Sequence, residues 1–387
     1  MSCRAILRCT PIVLALLAAV SGAGTQAPPR EPIHKLRFSP DGRYILALDA
    51  AAITVLTVSP LAVLFRIPVE NATQAQFTAD SQQVLFLSGG TRVNAARIEL
   101  AKSGARVEYW SMAGRARVES HELPVHACAP EQLSRNGRFL ACADLLDTLW
   151  LIDTASGGTI LRKDGFGKNG FAWDGAEPTA MAARPTAVRI AFSPDSHYFI
   201  AAVQEHFVSA QQPDLDRTPK EWWSGRAMVW DLQTGNTVPL KDRLNVLADT
   251  AVTHLSGERP DRRRSFAFVA PNRLLISDLI NAKNGFVTAT LLEFPSGRLL
   301  SKPVLPAGAL FPVTDANFVM IRATGRERVD RPQRTIAAAL DGEETIVSET
   351  PALDVLGRYY VAETRPGWIG LYERGNGLEA QIELHRK

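Results

Sequence analysis

The sequence predicts an all-β fold, a seven-bladed β-propeller built from four-stranded antiparallel blades. Two kinds of hairpin signal predict it, and they alternate along the 387 residues with seven copies of each. One hairpin of each kind supplies four antiparallel strands, so seven pairs supply seven blades. The fifth and sixth units are degenerate, which leaves six or eight blades as the alternative count.

The first hairpin signal is clearest in LRFSPDGRYILALD, residues 36–49. Pro40 presets φ for a turn, the Asp41 carboxylate accepts hydrogen bonds from nearby backbone N–H groups, and Gly42 takes the left-handed conformation. Apolar residues alternate with smaller or more polar ones on both sides, as they do in strands. The other copies are FTADSQQ, LSRNGRF, FSPDSHY, FVAPNRL, FPVTDANF and LDVLGRY, which begin at residues 77, 133, 192, 268, 311 and 353.

The second hairpin signal is a strand, a short polar turn and another strand, as in MVWDLQTGNTVPL at 228–240. Together with FSPDG and FSPDS, VWDLQTG resembles the WD40-like, TolB-type repeats of bacterial periplasmic propellers. The resemblance covers nearly all of the mature chain and implies the propeller fold, but these motifs specify blades and not an activity. The first unit starts on an inner strand, HKLRFS, and the last unit ends on an outer strand, LEAQIEL. We therefore expect contiguous blades and a ring closed by side-chain packing between the first and last blades. An edge strand contributed by TQAPPREP of the leader is the alternative.

The amino terminus is typical of a secretory signal peptide. In residues 1–23, two arginines precede an apolar core that ends in small residues. Residues 24–33 then form a leader, and residues 34–387 form the single propeller domain. Cleavage after Ala27 and an uncleaved membrane anchor are the alternatives. The expected location is periplasmic or secreted, with no membrane span after signal cleavage.

Composition limits the function classes. The apolar fraction is 46%, the charged fraction is 21% and the net charge is +3. These values are typical of a globular domain and do not point to a nucleic-acid partner. We expect a monomer with no cofactor and no metal.

Two cysteines remain after signal cleavage, Cys128 and Cys142. They are nearly symmetric about the predicted turn at 134–137, and residues directly opposed in an antiparallel pair lie within disulfide range. An oxidising compartment permits the bond. A disulfide and two free thiols are both compatible with the sequence, and the disulfide is slightly favoured.

All five long connections are predicted on one face of the ring. Strand direction alternates within a blade, so connections between second and third strands, and between blades, share a face. The long segments are 88–106, 166–186, 204–225, 241–263 and 321–334. Because binding groups collect on loops held by a rigid scaffold, this face is the predicted binding face. Simple tolerance of long loops is the alternative.

The candidate binding residues lie in four of these segments, except Arg264, which directly follows segment 241–263. They are aromatic, acidic or imidazole side chains suited to a protein interface or to stacking, and arginines suited to anionic groups. The set is Phe171, Trp173, Asp174, His206, Phe207, Trp222, Trp223, Arg259, Arg262, Arg263, Arg264, Arg326 and Arg328. A small core beneath the loops and a solvated basic loop are the structural alternatives.

No linear motif for catalysis is present: the sequence has no Gly-x-Ser-x-Gly, His-Glu-x-x-His, phosphate-binding Gly-rich loop or paired Cys-x-x-Cys. The sequence therefore favours an exported, non-catalytic scaffold that binds a protein or peptide through the long connections. The alternatives are a carbohydrate-active or lyase-type enzyme and a module that binds a glycan or another anionic ligand. The enzyme requires several of five residues to converge at the channel mouth: Asp174, His206, Asp214, Asp216 and Glu221.

Overall fold

A computed structural model provides the structure of the chain. It describes residues 33–69, 72–89, 92–94, 97–99, 104–125, 131–143, 148–164, 184–208, 221–240, 244, 264–278, 286–322, 335–341, 344–348, 350 and 352–384. For some strand residues only the backbone is described: 92–94, 97–99, 131, 184–189, 203–208, 221–226, 264, 278 and 309.

Seven four-stranded antiparallel sheets form the propeller, which confirms the predicted fold class and blade count. Blade one comprises β1 (Lys35–Phe38), β2 (Tyr44–Leu48), β3 (Ala52–Thr57) and β4 (Ala62–Pro68). Blade two comprises β5 (Gln74–Phe77), β6 (Gln83–Ser88), β9 (Arg106–Ser111) and β10 (Arg117–Glu122). Blade three comprises β11 (Glu131–Leu133), β12 (Phe139–Ala143), β13 (Leu149–Asp153) and β14 (Thr159–Lys163). A small hairpin of β7 (Arg92–Asn94) and β8 (Arg97–Glu99) is inserted in the second blade.

Blades four and five comprise β15 (Arg184–Phe192), β16 (Tyr198–Val208), β17 (Glu221–Asp231) and β18 (Thr237–Val238), then β19 (Arg264–Ala270), β20 (Arg273–Asp278), β22 (Thr290–Glu293) and β23 (Leu299–Ser301). Blades six and seven comprise β25 (Ala309–Pro312), β26 (Phe318–Arg322), β27 (Thr335–Ala339) and β28 (Thr345–Ser348), then β29 (Leu353–Leu356), β30 (Tyr359–Arg365), β31 (Trp368–Glu373) and β32 (Gly377–Glu383). A separate two-stranded sheet pairs β21 (Phe286–Thr288) with β24 (Val304–Pro306).

The hydrophobic core lies between neighbouring blades. Each of seven buried clusters draws its residues from two adjacent sheets. Between the first and second blades, for example, Leu46 and Val55 pack with Phe77 and Phe86. Because each blade buries both of its faces, removing one blade would expose two cores.

Within the described residues the ring closes without strand exchange, as the sequence predicts. Every four-stranded sheet between β1 and β32 is built from one contiguous stretch of chain. The closing cluster packs Leu36, Phe38 and Ile45 of the first blade against Val361 and Ile369 of the seventh. Side-chain packing, supplemented by two buried carboxylates described below, therefore replaces strand exchange as the means of closure.

The turns of the first hairpins also join one blade to the next. The fourth turn residue has positive φ in each of the first four blades: Gly42 (72°), Ser81 (59°), Gly137 (77°) and Ser196 (58°). The Ser81 hydroxyl accepts a hydrogen bond from the backbone N–H of Asp41 at 3.3 Å, and the Ser196 hydroxyl accepts one from the preceding blade's turn. The sequence alternates glycine and serine here because the preceding blade presents an apolar side chain to each glycine and an N–H to each serine.

Replacing Gly137 by Ser is expected to destabilise the fold through the preceding blade. A Cβ at this position would lie 2.3 Å from Leu85 Cδ2. Gly357→Ser is the matched control, because its φ is also positive but nothing lies within 4 Å of the added Cβ. We expect G137S to cost about 1–3 kcal/mol more than G357S in the free energy of unfolding. Equal costs in chemical denaturation would contradict this account.

Candidate functional site

The two faces of the ring carry different connections. We call the face with the first-to-second and third-to-fourth strand turns the turn face, and the opposite one the connection face. The strand order places all five long segments on the connection face. That part of the sequence prediction is confirmed. The segments themselves lie largely outside the described residues.

One predicted loop is partly a β-ribbon. β16 and β17 are 11 residues each and pair from Tyr198↔Asp231 to Val208↔Glu221, and β15 pairs with β16 as far as Arg184↔His206. Segments 204–225 and 166–186 were predicted as loops, and this is wrong for 204–208, 221–225 and 184–186. The sequences QEHFV and EWWSG are rich in residues that favour strands, and pairing along a long hairpin satisfies their backbone groups. In its register His206 lies opposite Trp223, and Phe207 opposite Trp222.

Two further additions to the connection face were not predicted from the sequence. The hairpin β7–β8 lies inside segment 88–106, and the β21–β24 sheet combines two separate connections of the fifth blade. In that sheet Val287 and Leu305 are buried, while Phe286 and Val304 are 55% and 62% exposed. The connection face therefore carries ordered strands as well as long segments.

Most candidate residues fall outside what the structure describes. For His206, Phe207, Trp222, Trp223 and Arg264 only the backbone is described. The remaining candidates lie outside the described residues: Phe171, Trp173, Asp174, Arg259, Arg262, Arg263, Arg326 and Arg328. The same holds for Asp214 and Asp216, and the Glu221 side chain is not described either. Convergence of any of these side chains stays a prediction.

Cys142 is fully buried and disulfide-bonded. Its partner lies outside the described residues, so the pairing with Cys128 stays a prediction. The direct opposition expected from the hairpin is wrong, because the register places Glu131 across from Cys142. Symmetry about the turn at 134–137 misjudged the register, since Leu133 pairs with Leu140, which shifts the centre of the hairpin toward the carboxyl end from the midpoint of the two cysteines.

A central channel of about 460 Å³ runs through the ring. The first strand of every blade contributes to its wall. In β1 and β5 alternate residues are buried between blades, which leaves Lys35, Arg37, Gln74 and Gln76 on the channel side. Arg135 and Arg322 also line it, and the described lining residues include no aspartate or glutamate. The described wall therefore combines apolar side chains with amides and cationic groups.

A buried carboxylate organises the turn-face end of this channel. Asp354 in β29 is fully buried and accepts hydrogen bonds from the backbone N–H groups of Phe38 and Thr314, both at 2.8 Å. The Thr314 hydroxyl donates to it at 2.6 Å, and Arg37 donates at 3.3 Å. Asp354 thus joins the sixth, seventh and first blades, and all of its oxygen atoms are used.

Arg135 reaches across the channel to the same group. Its guanidinium donates to the Thr314 carbonyl at 3.1 Å, which connects the third blade to the sixth. The side chain is accessible to water, yet the surrounding protein lowers the pKa of Arg135; Asp354 opposes this shift and Arg37 adds to it. Burial, with a contribution from Arg37, likewise lowers the pKa of Arg322. Three guanidinium groups therefore influence one another across one channel.

Sequence reasoning missed these residues, although signals for them exist. Arg135 occupies the turn position that Pro40 and Pro194 hold in the first and fourth blades, and those prolines also line the channel. Arg37 stands at an alternate, channel-facing position of an inner strand. Aligning the repeats on their turns therefore shows two positions where a cation faces the centre of the ring.

Two searches of the described residues found nothing. No group of three or more histidine, cysteine, aspartate or glutamate side chains there is placed to hold a metal ion. Within the same residues no helix is long and apolar enough to cross a membrane.

Comparisons with known proteins identify no family. No family model matches the chain. No curated protein matches it either. Among solved structures the chain is similar to Kuenenia stuttgartiensis Hydrazine Synthase, with 12% sequence identity and a TM-score of 0.49 over 92% of this chain and 99% of that one. At this distance the likeness carries no inference about activity, and the seven-bladed propeller rests on the strand pairing described above.

Proposed function

We propose that this protein is an exported, non-catalytic propeller scaffold that binds a protein or peptide partner through its connection face. One observation carries the proposal: every long connection, the β16–β17 ribbon and the β21–β24 sheet belong to this face. The turn face has short turns only. A rigid ring that carries its additions on one side is suited to presenting a binding surface.

Two observations support export and partner binding. The signal-like residues 1–23 are typical of secretion, and a disulfide at Cys142 is the kind of bond that persists in an oxidising compartment. Phe286 and Val304 expose apolar surface on the same side of an ordered sheet of the connection face. Exposed aromatic and aliphatic side chains held by a rigid backbone are common anchors of protein interfaces.

Shortening the ribbon is expected to abolish partner binding while the propeller stays folded. Val208 pairs with Glu221, so replacing residues 209–220 by the dipeptide Asn-Gly allows a two-residue hairpin turn in the same register. Affinity capture from the native envelope with the mature protein, followed by quantification of each captured protein, measures the effect. We expect one specific partner to fall at least tenfold in the shortened variant.

The control alters the turn face of the same blade. Gln233→Ala combined with Asn236→Ala changes two exposed residues of the β17–β18 turn. This variant should capture the partner as the unchanged protein does. The proposal fails if no protein is specifically enriched, or if both variants lose the partner equally while their thermal unfolding remains unchanged.

A further inference from the structure

The strongest unassigned feature of the described residues is the cationic end of the central channel. We propose that this end, beside the turn face, binds a small anion, either a phosphate or a short dicarboxylate, between Arg37 and Arg135. The site is on the opposite side of the ring from the proposed partner-binding face and does not depend on it.

The first argument is the charge balance. Arg37 and Arg135 line the turn-face end of the channel, and Asp354 is the carboxylate that the described residues place beside them. The oxygens of Asp354 already accept four hydrogen bonds, three of them from groups other than arginine. One carboxylate therefore faces two guanidinium groups, and a bound anion would offset the repulsion between them.

The second argument is the supply of donors. A guanidinium carries five N–H donors in a planar fork that matches carboxylate and phosphate oxygens. Within the described part of the chain, Arg37 uses one donor on Asp354 and Arg135 uses one on the Thr314 carbonyl. These two bonds fix the positions of the guanidinium groups and leave other N–H groups for a ligand. Such fixed, charge-assisted donors bind anions more strongly than mobile surface lysines do.

The third argument is size and environment. A channel of about 460 Å³ accommodates a small molecule, and clefts of this size commonly hold ligands. Gln74 and Gln76 add uncharged amides to the wall, although the Gln76 amide already donates to the Ser134 carbonyl.

Arg135→Gln is the direct test. This substitution removes one charge and keeps a polar, though shorter, side chain that can donate hydrogen bonds. Isothermal titration of the folded mature protein with inorganic phosphate, malonate and succinate, in a low-chloride buffer, measures the affinity. We expect saturable binding of phosphate or of a dicarboxylate by the unchanged protein, and at least a tenfold weaker Kd in R135Q. The three ligands distinguish the two chemical classes, and malonamide, which has no charge, should not bind.

Arg138→Gln is the matched control, because it removes the same charge from the same hairpin. Arg138 is exposed and pairs with Asp153 at 3.4 Å, outside the channel lining. Its Kd should change less than twofold, and the ribbon variant should also keep the affinity. Arg37 is not a suitable test residue because it holds Asp354. The proposal is overturned if the unchanged protein binds none of the three anions saturably, if malonamide binds equally, or if R135Q and R138Q weaken binding alike.

Discussion

Replacing Asp354 by Ala is expected to lower the free energy of unfolding by about 3–5 kcal/mol, because breaking a buried ion pair leaves uncompensated partners. The substitution removes the acceptor of two backbone N–H groups, those of Phe38 and Thr314, and the partner of Arg37. Since native proteins are stable by only about 5–15 kcal/mol, this is a large fraction of the total. Urea denaturation measures the loss.

The control for this substitution is Asp80→Ala. Asp80 is exposed, and among the described residues its carboxylate accepts hydrogen bonds only from its own turn, from the Thr78 hydroxyl and the Gln82 N–H. Its loss should cost about 1 kcal/mol, the usual contribution of such hydrogen bonds. A double-mutant cycle of R37A with D354A isolates the interaction across the ring closure. Equal destabilisation by D354A and D80A would show that Asp354 does not hold the blades together.

Substitution of Glu363 is expected to have the second large effect on the free energy of unfolding, and this effect depends on pH. Burial raises the pKa of this carboxyl, although the N–H groups of Ile33 and Gly367 both donate to its Oε1 and oppose the shift. Among the described residues Oε2 has no hydrogen-bond partner. Because the folded pKa lies above the unfolded one, the stabilising contribution is complete below the unfolded value of about 4.3 and is lost as pH rises through the folded pKa.

Two substitutions at Glu363 separate its charge from its hydrogen bonds. Glu363→Gln keeps an acceptor for Ile33 and Gly367 without the ionised oxygen, so its stability relative to the unchanged protein should increase as pH rises from about 4 to 8. Glu363→Ala orphans both N–H groups and should cost about 1–3 kcal/mol for each. Denaturation across this pH range measures both. A pH-independent difference between E363Q and the unchanged protein would refute the role given to the charge.

The blades were predictable because their signals are local. In the opening hairpin the Ser39 hydroxyl donates to Asp41 Oδ1 at 2.6 Å, and Asp41 accepts from the Arg43 N–H at 3.1 Å. These bonds join residues two apart, so a few consecutive residues specify the turn. The same bond recurs in the next three blades, at Thr78, Ser134 and Ser193. The alternating apolar flanks identified the weaker copies and completed the blade count.

The connection face was only partly predictable. Counting strands showed which connections share a face, since strand direction alternates. It did not show that QEHFV and EWWSG pair as a ribbon, or that β21 pairs with β24, because pairing depends on which segments meet after the ring has formed. The register of β11 and β12 likewise differs from the one that the cysteine spacing suggested.

The sequence by itself determined the repeat, the turns, the strand order and the face on which insertions accumulate, because each depends on contacts within one blade. The tertiary structure alone decided the cationic channel and its buried carboxylate. Arg37 and Asp354 are 317 positions apart, and Arg135 and Thr314 are 179 apart. No local pattern relates such residues. They meet because the closed ring brings the inner strand of every blade to one axis. Polar groups on these inner strands then pair with groups from other blades.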